Sequence, residues 1–243
     1  MIKKSIYFFL VALIGSVIFA SLASLFFSYK PLLVLLYSLG VAVAFLLFRG
    51  KIPFEKNSSA IVWIAIGCFL PVLYIGLVYL IGWQMLGHKI EPLSLTFLSS
   101  LPLVLIASFF EEVGWRGYLF STLQKIGWLK MNFIIGILWS AWHLPAILMG
   151  SYDMTSPLFA GILIFIINVI LLSFVFGWFR QKTAGIIAPT VIHAFHNLGY
   201  IYWTGKNDLS ILGESGLVLT IVLLFLVIII LQAWKEPISV KSI

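Results

Sequence analysis

The chain has 243 residues, of which 62% are hydrophobic and only 9% charged. Soluble domains are about 45 to 50% apolar, so a water-soluble globule is excluded and an all-α, polytopic transmembrane bundle is expected. The formal net charge of +7 would suit a nucleic-acid partner only if the basic residues formed a patch. Instead they alternate by loop.

Eight apolar segments approach the length of about 17 to 25 residues that a bilayer requires. They run from Ser5 to Phe27, Pro31 to Phe48, Ser59 to Ile81, Ser94 to Leu119, Asn132 to Met149, Pro157 to Phe179, Ala184 to Trp203 and Ser215 to Trp234. With a cytoplasmic N-terminus, the inner connections hold Lys3, Lys4, Arg49, Lys51, Lys56, Lys125, Lys130, Arg180, Lys182, Lys235 and Lys241, against Lys30, Lys89 and Lys206 outside. This pattern obeys the positive-inside rule and puts both termini in the cytoplasm. Membrane lipid headgroups then account for the basic residues without a nucleic acid, and a bacterial cell membrane is the expected location. No repeat or second domain is visible, so residues 1–243 read as one transmembrane domain.

The first segment follows Lys3 and Lys4 and ends near small residues, as a signal peptide would. Its apolar run is longer than the usual core of about 7 to 15 residues, so it reads as a first membrane helix. The second and third segments carry no charge and read as scaffold, as does the short connection from Arg49 to Ser59 with its Pro53. Cys68, the single cysteine, excludes an intramolecular disulfide and a thiol metal cluster and reads as a small core residue. The outer stretch from Gly82 to Pro92, with His88, Lys89 and Glu91, reads as a solvated loop.

The fourth segment is different. It carries Glu111, Glu112 and Arg116 after a run from Leu101 to Phe110 without an ionisable group. A charge at membrane depth costs about 2.5 to 3.5 kcal/mol on insertion scales, so such residues mark function by default. On a helix Glu112 and Arg116 share a face, while Glu111 is turned about 100° away. The expectation is that Arg116 pairs with Glu112, leaving Glu111 to accept and donate a proton.

His143 in the fifth segment and His193 in the seventh fall near the depth of Glu111 when each helix is measured at 1.5 Å per residue. Asn197 follows His193 by one turn on the same face. His196 lies off that face and reads as structural. Pro145 and Pro189 are expected to interrupt the fifth and seventh helices beside the histidines. The sixth segment, with Asn168 and Ser173, reads as a packing helix, and the uniformly aliphatic eighth as lipid-facing.

A carboxylate that moves protons, a facing histidine, and a second histidine with an amide form a set for adding water to a carbonyl. In that reading Glu111 and His143 activate the water, and His193 with Asn197 hold the oxyanion. Two histidines and a carboxylate also match a zinc ligand set, and both chemistries are open at this point.

The ordered motifs Glu111-Glu112-x-x-x-Arg116, Trp139-x-x-x-His143 and His193-x-x-x-Asn197 resemble those of the CPBP family, the CAAX-protease and bacteriocin-processing membrane endopeptidases, also called the Abi family. Glu-Glu-Val-Gly-Trp-Arg-Gly-Tyr-Leu, Trp-His-Leu-Pro and Gly185-Ile-Ile-Ala-Pro189 match as well, over about residues 95–205. The resemblance implies a helical intramembrane endopeptidase with catalytic residues Glu111, Glu112, Arg116, His143, His193 and Asn197. The substrate would be a lipidated (CAAX-type) or bacteriocin-like peptide reaching the site from the inner leaflet. A divalent metal, zinc, stays open beside a metal-free glutamate mechanism. Trp139 and Trp115 stand where the family commonly has Phe. The competing readings are a membrane scaffold or immunity protein that keeps the motifs for packing, and a proton-coupled transporter.

Overall fold

The computed structural model describes residues 2–27, 29–55, 58–86, 96–150, 152, 154, 157–203 and 215–233. All regular structure among them is helical. The long helices are α1 (Ile2–Ser24), α2 (Lys30–Leu47), α3 (Ala60–Leu86) and α4 (Thr96–Glu112). A π-helical stretch, Val113–Leu119, continues α4 into the short α5 (Phe120–Leu123). Then follow α6 (Trp128–Leu148), α7 (Leu158–Thr183), α8 (Ile187–Trp203) and α9 (Leu217–Ala233).

The eight expected segments each contain a helix, but they are not equivalent. Among the described residues, α1, α6, α7 and the Ala60–Met85 part of α3 are long and apolar enough to cross a bilayer, and Leu32–Leu47 and α9 are shorter apolar helices. The 17-residue α4 and α8 fall outside both groups, since one carries two carboxylates and the other two histidines and an asparagine. They are the inner helices of a membrane bundle, packed on one another and flanked by α2 and α3. On the outer surface of α3, Ile61, Phe69 and Leu73 are 74%, 69% and 68% exposed, which suits hydrocarbon and not water.

Small residues set the closest approaches. A Cβ on Gly40 of α2 would lie 2.1 Å from the backbone nitrogen of Ser16 in α1, so only glycine lets these two backbones touch, as is common where helices pack in lipid. That contact carries a polar clasp. The Trp142 indole N–H of α6 donates to Ser16 Oγ at 2.9 Å, and the Tyr37 hydroxyl of α2 donates to the Trp142 carbonyl. The register of α6 is thereby tied to α1 and α2 one residue before His143. At the α6–α7 interface, Gly177 makes room for Asn132, whose Oδ1 would lie 1.9 Å from an added Cβ. Ser173 Oγ donates to the Asn132 carbonyl.

Several expectations need correction. Pro145 lies within α6, which continues to Leu148. Pro189 falls in the first turn of α8, where a backbone N–H has no intrahelical acceptor to lose, so it does not interrupt the helix. The stretch expected to loop from Gly82 is helical through Leu86; His88, Lys89 and Glu91 lie outside the described residues. Cys68 is half-buried and not a core residue. Helix α9 is lipid-facing on one side only, because Leu219, Leu223, Val227 and Ile230 are buried.

The connection between α2 and α3, expected to be plain scaffold, fastens the start of α8. The Ile186 N–H donates to the Pro53 carbonyl at 3.1 Å. The Glu55 carboxylate accepts from Ile187 N–H and, at 3.1 Å, from Ala188 N–H. A carboxylate there meets the free N–H groups and positive dipole end of the helix. This join brings the connection bearing Arg49 and Lys51 to the end of the bundle where the last turn of α7 carries Arg180 and Lys182.

Glu55→Ala should lower the thermal unfolding midpoint of the purified protein in detergent, since hydrogen bonds to a charged group contribute about 1.5 to 3 kcal/mol. Glu55→Gln, which can still accept, should retain part of that. Equal midpoints for the parent and the alanine variant would remove Glu55 as the clamp.

Candidate active site

The site begins where α4 gives way to the π-helical stretch. Glu111 and Glu112 are its last α-helical residues, and Arg116 lies within the wider turn. This form is rare within helices and is frequent at functional sites. It requires support from outside: Arg180 Nε of α7 donates to the Arg116 carbonyl at 3.0 Å, while Gly114 lets Val41 and Phe8 press on the turn.

Glu111, Glu112, Arg116 and His193 converge in the bundle interior, with exposures of 2%, 0%, 0% and 2%. Arg116 Nη1 donates to Glu112 Oε1 at 2.9 Å. His193 Nδ1 donates to the same oxygen at 2.9 Å, and its Nε2 lies 4.0 Å from Glu111 Oε2. One imidazole thus spans the two carboxyl groups. Trp139 Nε1 donates to Glu111 Oε2 at 2.9 Å.

Aromatic faces complete the wall. The Arg116 guanidinium lies 4.6 Å from the Trp139 ring centroid and 5.1 Å from that of Phe176, distances suited to cation–π attraction. Phe176 belongs to α7, so that helix contributes to the site and is not merely packing. No feature of its sequence signals this, since Phe176 is one apolar residue in a long apolar run.

His143 is buried but joins the cluster indirectly. Its Nδ1 is hydrogen-bonded to Tyr152 Oη at 3.0 Å, and its ring lies 5.9 Å from that of Trp139, which itself lies 5.1 Å from His193. Among the described residues no hydrogen bond joins His143 to Glu111. Asn197 is half-buried one turn beyond His193 on α8. His196 is turned to the α3 side, where its Nδ1 bonds Tyr74 Oη, in keeping with a structural histidine.

Two contributors had no role assigned to them from the sequence. Trp139 was legible only as the aromatic four residues before His143, although a buried indole N–H normally seeks an acceptor. Tyr152 lies between α6 and α7, in a stretch without helical periodicity.

The donor set does not fit a tetrahedral zinc site. Among the described residues no three His, Cys, Asp or Glu side chains are arranged to hold a metal ion. The cation that faces the carboxylates in this cluster is the Arg116 guanidinium.

Breaking the buried pair tests its energetics. Removing one partner from such a pair costs about 3 to 5 kcal/mol, while replacing both by apolar or neutral groups is much less harmful. Arg116→Ala should therefore lower the thermal midpoint sharply, and adding Glu112→Gln to Arg116→Met should leave the protein more stable than Arg116→Ala. Additive losses in this comparison would mean that the two groups are not coupled.

Comparison with known proteins matches residues 93–199 to the family model described as Rce1-like, type II CAAX prenyl endopeptidase. The matched stretch contains all of the converging groups. A 128-residue alignment is 31% identical to CAAX prenyl protease 2 of Methanococcus maripaludis, covering 51% of this chain and 47% of that protein. The chain thus matches about half the length of this curated relative.

Proposed function

We propose, from the match of residues 93–199 to the family model described as Rce1-like, type II CAAX prenyl endopeptidase, that this membrane protein is an intramembrane endopeptidase. Its substrate is a membrane-associated peptide segment, lipidated and CAAX-type as the relative's name suggests, or bacteriocin-like. The observation that carries the reading is the 4.0 Å spacing between Glu111 Oε2 and His193 Nε2 in a buried pocket of charge. That spacing is too long for a hydrogen bond and suits a water molecule bonded to both groups.

In this reading Glu111, helped by His143, takes a proton from the water as its oxygen bonds to the scissile carbonyl carbon. The carbonyl oxygen becomes an oxyanion, and His193 Nε2 and Asn197 donate to it. One such donor contributes about 2.7 to 4 kcal/mol in enzymes where it has been removed. The proton held by Glu111 then passes to the leaving nitrogen as the C–N bond breaks, giving a carboxyl product and an amine.

Charge balance supports these roles. Arg116 faces Glu112, and the two ring nitrogens of His193 face Glu112 and Glu111. When Glu111 takes up the proton, the site gains the positive charge that the oxyanion needs. Glu112 and Arg116 hold His193 in place.

The basic connections favour cytoplasmic termini and entry of substrate from the inner leaflet. Membrane lipids surround the bundle as its other partners.

Incubation of the purified protein with membrane-tethered, lipidated peptides tests the reading. The parent should cleave, and Glu111→Gln should lose at least about 1000-fold of that rate, the effect of general acid–base and electrostatic terms together. Chelator should leave the rate unchanged. A Glu111→Gln protein that is folded and cleaves like the parent would overturn the proposal, and loss of the rate with chelator would overturn the metal-free form of it.

A further inference from the structure

Trp139 meets Glu111, Arg116 and His193, and it does so through two chemically distinct parts. Its indole N–H lies 2.9 Å from Glu111 Oε2. Its ring lies 4.6 Å from the Arg116 guanidinium and 5.1 Å from the His193 ring. Arg116 Nε and Nη2 are buried with no hydrogen-bond partner among the described residues. A buried guanidinium that meets one carboxylate oxygen is therefore stabilised on its remaining faces by the π-systems of Trp139 and Phe176.

We propose that Trp139 is a positioning residue with two separable roles: its N–H orients the Glu111 carboxylate toward the water, and its ring face seats Arg116, hence Glu112 and His193. This rests on the endopeptidase reading. The carboxylate needs such a partner. Arg116 and His193 Nδ1 are both engaged with Glu112, so the Trp139 indole, at 2.9 Å, is the well-formed donor to Glu111, with the Trp115 indole as a second neighbour of that carboxyl. The aim of the Trp139 indole is set from the far side of the bundle. Trp142, on the same helix, is clasped by Ser16 and Tyr37, which limits rotation of α6 and with it the direction of the indole.

The two roles predict different variants. Trp139→Phe removes the N–H and keeps an aromatic face for the guanidinium. Trp139→Leu removes both. With a lipidated peptide substrate, Trp139→Phe should lower kcat about 10- to 100-fold, the range for losing a hydrogen bond to a charged group, with KM within about twofold and the unfolding midpoint close to the parent. Trp139→Leu should lower kcat further and also lower the midpoint.

A measurement without substrate keeps the proposal separate from the endopeptidase reading. In infrared difference spectra of the purified protein, the carboxyl band that disappears in Glu111→Gln should shift in Trp139→Phe. An unshifted band, or a Trp139→Phe protein with the parent's kcat, would overturn the N–H role. Parallel changes in kcat, KM and stability in Trp139→Phe would reduce Trp139 to a structural residue and overturn the proposal. If the parent cleaves nothing, the endopeptidase reading fails, and the infrared shift alone decides whether Trp139 holds Glu111.

Discussion

Four ionisable side chains buried in a bundle of apolar helices must find their partners in one another, because hydrocarbon offers them none. An isolated ion in such surroundings is strongly disfavoured, and a pair holds only if geometry and additional hydrogen bonds are good. Glu112 accepts from Arg116 and from His193 through a single oxygen, and this three-centre contact joins the π-helical turn after α4 to α8. The aromatic faces of Trp139 and Phe176 bring α6 and α7 to the same guanidinium. Four parts of the bundle are therefore fixed around one cation.

The rest of the molecule holds those parts still. Glycine at position 40 lets α1 and α2 touch, and the pair then clasps Trp142 on α6. Glu55 and Pro53 fasten the first turn of α8, six residues before His193. Arg180 occupies a backbone carbonyl of the π-helical turn. These ties lie outside the ionisable cluster but act on the helices that carry it, so packing and backbone hydrogen bonds together hold the cluster's geometry.

Much of this could be read from residues in order. A 62% hydrophobic chain must be a helical membrane protein, because lipid leaves backbone groups no partners outside helices or closed barrels. The spacing of Glu112 and Arg116 placed them on one face, and they are paired. The common depth of Glu111 and His193 corresponds to their close approach. His143 follows that reasoning only partly, since Tyr152 and Trp139 stand as its neighbours. Position along a helix axis gives depth, whereas rotation about the axis is set by packing against other helices. Pro189 was misread for a related reason: its effect depends on where the helix begins, and Glu55, distant in sequence, helps set that start.

The sequence by itself determined the class of the molecule and which buried ionisable groups must find partners, because hydropathy is a bulk property and carboxylates at membrane depth demand partners. Only the tertiary structure decided which oxygen each partner takes, that an indole N–H holds Glu111, that Phe176 lies over the guanidinium, and that a loop carboxylate starts α8. Those choices come from side chains on different helices meeting across the bundle. Such meetings depend on helix rotation and close packing, which no local pattern of residues encodes.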